Sequence, residues 1–212
     1  MPLKIDITKA KLSLNIKLDV IFIFLFFTAG GRAQYNDHAV FDGDPISRIQ
    51  LYDVDAGKQI FLNTVTAKPL TLFIFLSPEC PLCQNYSHKL NDLNKQYGGH
   101  VAMYGIIPGK AYSDDVIKKF RHEYDIEFAL LIDHDKKLTS YLRASVTPQA
   151  VLLNDKNDLV YAGAIDNWAV SPGKQRVQTT EYYLQDALRE YLSGETVLVK
   201  RTKAVGCRIN NF

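Results

Sequence analysis

An apolar run that leads directly into a pair of cysteines is the feature that most constrains the fold of this chain. Residues 70–76 are apolar at all but one position, which is typical of a strand buried on both faces of a sheet. The motif Cys80-Pro81-Leu82-Cys83 follows after three intervening residues. Pro81 suits the first turn of a helix, because the N–H group that proline lacks would have no intrahelical partner there. We therefore predict a strand and a helix that are joined at the cysteine pair.

The remaining patterns predict a single α/β domain with a mixed sheet flanked by helices. The apolar spacing in the helix after Pro81 places Cys83 on the face that points into the core. The first predicted elements are a β-hairpin over 49–62, a strand over 70–76, a helix over 81–97 and a strand over 101–107. Next come a helix capped by Ser113 with Val116, Phe120 and Tyr124 inward, a short apolar stretch over 128–132 and a short helix over 136–142. The last are a second hairpin over 151–161 and a helix from Thr179 or Thr180 to 192. The domain is predicted to span 34–194, followed by a tail over 195–212 that carries Cys207.

Residues 1–33 are predicted to be a signal peptide. They combine a lysine-rich leader, an apolar run over 20–27 and small residues at Gly31 and Ala33, the pattern of a signal-peptidase site that leaves Gln34 first. The apolar run is far shorter than the roughly 20 residues that span a bilayer. A retained membrane anchor and a buried first strand are the alternatives. We expect an exported, periplasmic or extracytoplasmic protein that touches the membrane only transiently, through this segment.

The charge of the mature chain argues against a nucleic-acid partner. The whole chain has a formal net charge of +2, and residues 1–33 hold five basic and two acidic side chains, so the remainder has a net charge of −1. Proteins that bind nucleic acid usually concentrate basic residues in a patch or stripe. The scattered charges after residue 33 form no such pattern.

The predicted position of Cys80 at a helix N-terminus favours redox chemistry. The unpaired N–H groups and the positive end of the helix dipole stabilise a thiolate there over a thiol. Cys83 lies about one turn further on, close enough to form a disulfide with Cys80. A zinc site would need a second pair of ligands, and haem attachment would need a histidine where Gln84 stands. A purely structural disulfide across so short a loop would constrain little.

The chain resembles the thioredoxin superfamily, and in particular exported redoxins of the AhpC/TSA and thiol–disulfide oxidoreductase type. The resemblance rests on the strand over 70–76, the Cys80–Cys83 motif, and Val146-Thr147-Pro148-Gln149 before a hairpin. It implies a thioredoxin-like fold with an N-terminal β-hairpin extension, and a cis bond between Thr147 and Pro148 facing the cysteines. It also implies that the backbone of Thr147 receives a substrate peptide.

The resemblance implies an enzyme that exchanges disulfides. We predict that Cys80 is the exposed nucleophile, because it begins the helix, and that Cys83 is the buried resolving thiol, because it lies on the inward face of that helix. The partners of this enzyme would be protein thiols or disulfides, or a thioredoxin-like electron donor, and no cofactor or metal is expected. Glu79 departs from the family pattern, which often has tryptophan before the first cysteine, and an acid close to Cys80 would oppose thiolate formation.

Two further functions fit parts of the sequence. A peroxiredoxin-like thiol peroxidase of this fold would carry a serine or threonine where Ser77 stands, but a proline where Phe73 stands. A copper-carrying chaperone would use two soft thiolates and a histidine. His88 is the nearest histidine, but five residues of helix after Cys83 turn it away from the thiols.

Cys207 leaves an odd number of cysteines in a chain that is predicted to enter an oxidising compartment. We expect it to be a free or intermolecularly paired thiol on a mobile tail rather than a permanent partner of Cys80 or Cys83. A third redox cysteine and a metal ligand are the alternatives.

Overall fold

Strands from both halves of the chain form a mixed seven-stranded sheet within the part that the computed structural model describes, residues 46–64 and 68–210. The strands in chain order are β1 Gln50–Asp53, β2 Lys58–Phe61, β3 Leu70–Phe75, β4 Val101–Pro108, β5 Ala129–Asp133, β6 Val146–Thr147, β7 Gln149–Asn154, β8 Leu159–Gly163, β9 Ala169–Ser171, β10 Lys174–Gln175 and β11 Cys207–Arg208. The order across the large sheet is β2-β1-β5-β4-β3-β7-β8. The predicted signal peptide lies outside the described residues.

The centre of this sheet is parallel and its margins are antiparallel. β3, β4 and β5 run parallel to one another, whereas the β1–β2 and β7–β8 hairpins join them antiparallel at the two sides. This arrangement confirms the predicted mixed sheet, both hairpins and the central position of residues 70–76.

Helices cover both faces of the sheet, so that β3 is buried on each side. Leu72 and Ile74 belong to the core on one face, and Phe73 and Phe75 to the core on the other, as the alternation of side chains along a strand requires. The helices are α1 Pro81–Tyr97, α2 Asp114–Glu123, α3 Lys137–Tyr141 and α4 Tyr183–Leu192. α1, α2 and α4 contribute to the first core, and α3 contributes to the second. No helix among the described residues is both long and apolar enough to cross a membrane.

Two helices differ from the prediction in detail. In α2 the inward side chains are Ile117 and Phe120, whereas Val116 is 42% exposed. Val116 lies four residues before Phe120 and Ile117 lies three residues before it, and either spacing puts two side chains on one face of a helix. In the structure, Ile117 is the one that packs in the core with Phe120. Ser113 stands at the N-terminal cap of α2 but makes no side-chain capping bond.

The last helix, α4, begins at Tyr183, later than predicted. The preceding residues are engaged by a buried loop residue: the amide of Thr180 donates to Asn167 Oδ1 at 3.0 Å, and the amide of Asn167 donates to the carbonyl of Glu181 at 3.1 Å. These contacts hold residues 180–181 to the loop rather than in a helix.

The segment after α4 returns across the domain. The amide of Ala162 in β8 donates to the carbonyl of Lys200 at 2.9 Å, and the amide of Thr202 donates to the carbonyl of Ala162 at 3.1 Å. The hydroxyl of Thr202 accepts the amide of Ala164 at 2.9 Å. These bonds direct the chain towards the junction of β3 and α1, where β11 pairs with β6.

Candidate active site

Cys80 caps the N-terminus of α1. Its backbone is extended (φ −84°, ψ 113°), Pro81 occupies the first turn, and the carbonyl of Cys80 accepts the amide of Gln84 at 3.1 Å. The amide of Cys80 donates to the carbonyl of Ser77 at 3.1 Å, which turns the chain from β3 into the helix. The sulfur therefore lies at the positive end of a helix that is 17 residues long, the position at which a thiolate is stabilised.

The neighbouring donors lower the pKa of Cys80 to about 4. The largest cause is a hydrogen bond from the thiol of Cys83, and the thiol of Cys207 and the backbone amides of both residues add to it, against the opposing effect of burial. In its protonated form Cys80 donates to the carbonyl oxygen of Thr147 at 3.1 Å.

Cys83 lies behind Cys80 in the core and is 1% exposed. Its sulfur accepts the amide of Ser77 at 3.4 Å. Burial raises the pKa of Cys83 well above its ordinary value, and the hydrogen bond to Cys80 and the negative charge of that residue raise it further. The two motif thiols thus have opposite preferences, since Cys80 favours the thiolate and Cys83 the thiol.

The Thr147–Pro148 bond is cis, which confirms the expectation drawn from the resemblance. Both residues are buried beside the cysteines. The edge of Thr147, which the resemblance assigns to a substrate peptide, is already paired: β11 lies antiparallel to β6 with Cys207 opposite Thr147. The chain's own tail therefore occupies this edge.

This tail changes the predicted environment of two cysteines. Cys80 is 1% exposed rather than accessible, because the strand that carries Cys207 lies over it. Cys207 is not on a distant mobile tail: its thiol donates to Cys80 Sγ with the sulfurs 2.7 Å apart. Partial desolvation of its thiol beside Cys80 raises the pKa of Cys207 to about 11, helped by its hydrogen bond to the Cys80 thiolate and by the charge of that thiolate.

A polar group near the motif was not predicted from the sequence. The hydroxyl groups of Tyr112 and Ser77 are 2.9 Å apart, and Tyr112 also donates to Glu79 at 3.3 Å. The carboxylate of Glu79 is therefore directed towards Tyr112. The only sequence signal for Tyr112 is its place in the loop after β4, since loops at the carboxyl ends of parallel strands commonly carry sites.

A cavity of about 340 Å³ opens beside this group and reaches Cys207. Its lining includes Ser77, Tyr112, Thr147 and Cys207, together with the cationic side chains of Lys110, Lys136 and Arg208.

His88 does not join the thiols. It is exposed on α1 and lines a separate surface depression with residues of α2. Among residues 46–64 and 68–210, no group of three histidine, cysteine or acidic side chains is arranged to hold a metal ion. The sole tryptophan, Trp168, packs on the domain, with its ring edge-on to Tyr86 at 5.4 Å between centroids.

Comparison with known families decides where this chain belongs. The sequence profile of the AhpC/TSA family matches residues 43–162, more than half of the chain. The chain belongs to the AhpC/TSA family. The match includes both motif cysteines, Thr147 and Pro148, whereas Cys207 lies beyond it. No curated protein matches the chain significantly.

Three solved structures illustrate what this AhpC/TSA protein is similar to. An uncharacterized conserved protein from Geobacillus kaustophilus superposes with a TM-score of 0.70 at 24% identity, over 79% of this chain and 90% of that chain. A hypothetical protein from Sinorhizobium meliloti 1021 gives a TM-score of 0.66 at 22% identity, over 79% and 95%. A secreted Mycobacterium tuberculosis disulfide oxidoreductase homologous to E. coli DsbE gives 0.48 at 17% identity, over 55% and 84%. The first two share the fold of this chain over 79% of its length.

Proposed function

We propose that this AhpC/TSA protein is an exported thiol–disulfide oxidoreductase in which Cys80 is the nucleophile and Cys83 the resolving thiol. The observation that carries the proposal is the position of Cys80 at the N-terminal cap of α1, with Cys83 buried one turn further along the same helix. Cys80 has its pKa lowered to about 4, and Cys83 has its pKa raised by burial and by the charge of Cys80. The thiolate is the nucleophilic form of cysteine. Cys80 can therefore attack a disulfide, while Cys83 stays protonated until the second step.

Exchange then proceeds in two displacements. The Cys80 thiolate attacks a disulfide sulfur of the partner, a Cys80–partner disulfide forms, and the partner's other sulfur leaves and takes a proton. Cys83 then loses its proton and attacks Cys80 Sγ, which closes the Cys80–Cys83 disulfide and releases the partner as a dithiol. The second step is aided by the first, because a Cys80 sulfur that is part of a disulfide no longer carries the negative charge that raises the pKa of Cys83.

Thr147 and Pro148 are the proposed substrate-binding residues. Support comes from the contact of the Thr147 carbonyl with Cys80 Sγ at 3.1 Å and from the readiness of the β6 edge to pair with an extended segment, which β11 illustrates. The proposed partners are protein thiols or disulfides, or a thioredoxin-like electron donor. Export rests on the leader and apolar run in residues 1–33, and N-terminal sequencing of the mature protein tests it, with Gln34 expected first.

The test of the activity is a comparison of two substrates. The reduced protein is expected to reduce insulin disulfides far faster than it consumes hydrogen peroxide, and Cys80→Ser should abolish insulin reduction. Cys83→Ser should accumulate disulfides through Cys80, because the resolving thiol is missing. Insulin reduction that persists in Cys80→Ser would refute the proposal. Rapid peroxide turnover with slow disulfide exchange would favour the thiol peroxidase instead.

A further inference from the structure

The C-terminal strand is held against the cysteine motif by several independent bonds. β11 pairs with β6, the amide of Ile209 donates to the carbonyl of Ser145 at 3.0 Å, and the Lys136 ammonium donates to the carbonyl of Asn210. An added Cβ at Gly206 would lie 2.1 Å from the carbonyl oxygen of Thr147, so the backbones approach as closely as glycine allows. Contacts at Gly206, before Cys207, and at Ile209 and Asn210, after it, therefore hold the tail against the motif.

The contact between the two sulfurs is close to what a disulfide needs. Cys207 Sγ lies 2.7 Å from Cys80 Sγ. A disulfide has an S–S distance of about 2.05 Å, so the gap to be closed is about 0.7 Å. Cys80 is therefore within reach of two thiols, Cys83 from its own helix and Cys207 from the tail.

Accessibility separates the three thiols. Cys80 and Cys83 are each 1% exposed, whereas Cys207 is exposed and borders the 340 Å³ cavity. Lys110, Lys136 and Arg208 also line this cavity, and their positive charge favours the approach of a partner thiolate. A partner can therefore reach Cys207 while the tail is in place, whereas it can reach Cys80 only after the tail has been displaced.

We propose that Cys207 is a third redox thiol that relays disulfides between the buried Cys80–Cys83 pair and an external protein dithiol or disulfide. The proposal rests on the proposed function and adds Cys207 as the thiol through which a partner exchanges with the motif while the tail covers Cys80. To oxidise a partner, the Cys207 thiolate attacks Cys80 Sγ of the Cys80–Cys83 disulfide. The Cys80–Cys207 bond forms, the Cys80–Cys83 bond breaks, and Cys83 takes up a proton.

A partner thiolate next attacks Cys207 Sγ through the cavity, and the Cys80 thiolate leaves. A thiolate of low pKa is a good leaving group, and the pKa of Cys80 is about 4. The second thiol of the partner then displaces Cys207, which is released as a thiol. The partner loses two electrons and two protons in forming its disulfide. The protein gains both electrons, one proton is retained on Cys83, and the other is released to solvent because Cys80 ends as a thiolate. Reduction of a partner disulfide follows the same steps in reverse.

The first experiment maps disulfides in the Cys83→Ser variant of the mature chain after oxidation by glutathione disulfide. A dominant Cys80–Cys207 peptide is expected. Adding Gly206→Ala should reduce this product about tenfold, because the added methyl group pushes β11 away and the advantage of proximity is lost. Gly99→Ala is the matched control, since no atom lies within 4 Å of a Cβ there, and it should leave the product unchanged. Absence of the Cys80–Cys207 disulfide in Cys83→Ser overturns the relay.

The second experiment measures the rate of exchange with insulin in Cys207→Ser. The rate is expected to fall about tenfold or more, because the buried Cys80 must then be reached without its tethered thiol, while the Cys80–Cys83 disulfide still forms. A wild-type rate in Cys207→Ser overturns the relay and leaves the proposed function standing. A wild-type rate in Cys80→Ser overturns the proposed function itself, so the two failures are distinguishable.

Discussion

Cys207 Sγ lies 2.7 Å from Cys80 Sγ, although 127 positions separate the two residues in the sequence. The contact adds a third thiol to a two-cysteine motif and explains why Cys80 is buried. It also orders the three thiols by environment, since Cys80 favours the thiolate and both neighbours favour the thiol.

The thiolate of Cys80 should persist to low pH in the reduced protein. Its pKa is lowered to about 4, chiefly by the hydrogen bond from Cys83. Titration followed by the ultraviolet absorbance of thiolate should show one thiolate that is protonated only near that pH and is missing in Cys80→Ser. Cys83→Ala should move this titration upwards, because the main donor is lost. An unchanged titration in Cys83→Ala would contradict the assigned cause.

The free energy of unfolding of the reduced protein should depend on pH through Cys80. Between about 4 and the ordinary thiol value of 9.0, the folded chain has released a proton from Cys80 that the unfolded chain still holds. The stabilisation by Cys80 therefore increases with pH across this window and is lost as pH falls towards 4. The difference in unfolding free energy between wild type and Cys80→Ser, measured with urea, should grow as pH rises through this window. A constant difference would refute the prediction.

At higher pH, Cys207 should have the opposite effect to Cys80: the free energy of unfolding should fall as pH rises. Its pKa is raised to about 11, so between 9.0 and 11 the folded chain keeps a proton that the unfolded chain releases. Its contribution to stability is present below 9.0 and is lost as pH rises towards 11. The unfolding free energy of the reduced wild type should therefore fall more steeply over this range than that of Cys207→Ser. Parallel curves for the two proteins would contradict the raised pKa.

Gly163→Ala should loosen the C-terminal segment. Gly163 has φ +152°, and a Cβ there would lie 2.2 Å from Thr202 Oγ1 and 2.5 Å from the carbonyl oxygen of Thr202. We expect a loss of about 2 kcal/mol in unfolding free energy relative to the control, as for other overpacked sites, and faster hydrogen exchange in β11. Gly173→Ala is the control, because Gly173 has φ +76° but nothing within 4 Å of a Cβ. Equal effects of the two variants would show that Thr202 is not the obstacle.

Leu90→Ala should destabilise the domain by about 2–5 kcal/mol, the usual range for a buried leucine. Leu90 is 0% exposed and lies in the core between α1 and the sheet. Leu198→Ala is the matched control at a side chain that is 81% exposed, and it should change the unfolding free energy by no more than about 0.5 kcal/mol. Urea unfolding followed by circular dichroism measures both. Similar losses in the two variants would contradict the packing of α1.

The elements that could be predicted are those with a strong local pattern. The apolar run of β3 and the three-four spacing of α1 report burial directly, because each residue's environment repeats along the element. The pattern failed at α2, where Val116 and Ile117 both fit a helical face and only packing against the sheet distinguishes them. It failed again at the start of α4, where Asn167 holds residues 180–181 out of the helix.

The sequence by itself determined the central strand, the helix that follows it and the close approach of Cys80 to Cys83, because all three depend on neighbouring residues. Tertiary structure alone decided that Cys207 meets Cys80 and that Cys80 is buried. β11 is two residues long, too short to show any periodicity, and its position depends on backbone bonds from Ala162 to residues 200 and 202. Backbone groups are the same in every residue, so contacts of this kind leave no pattern of side chains from which they could be predicted.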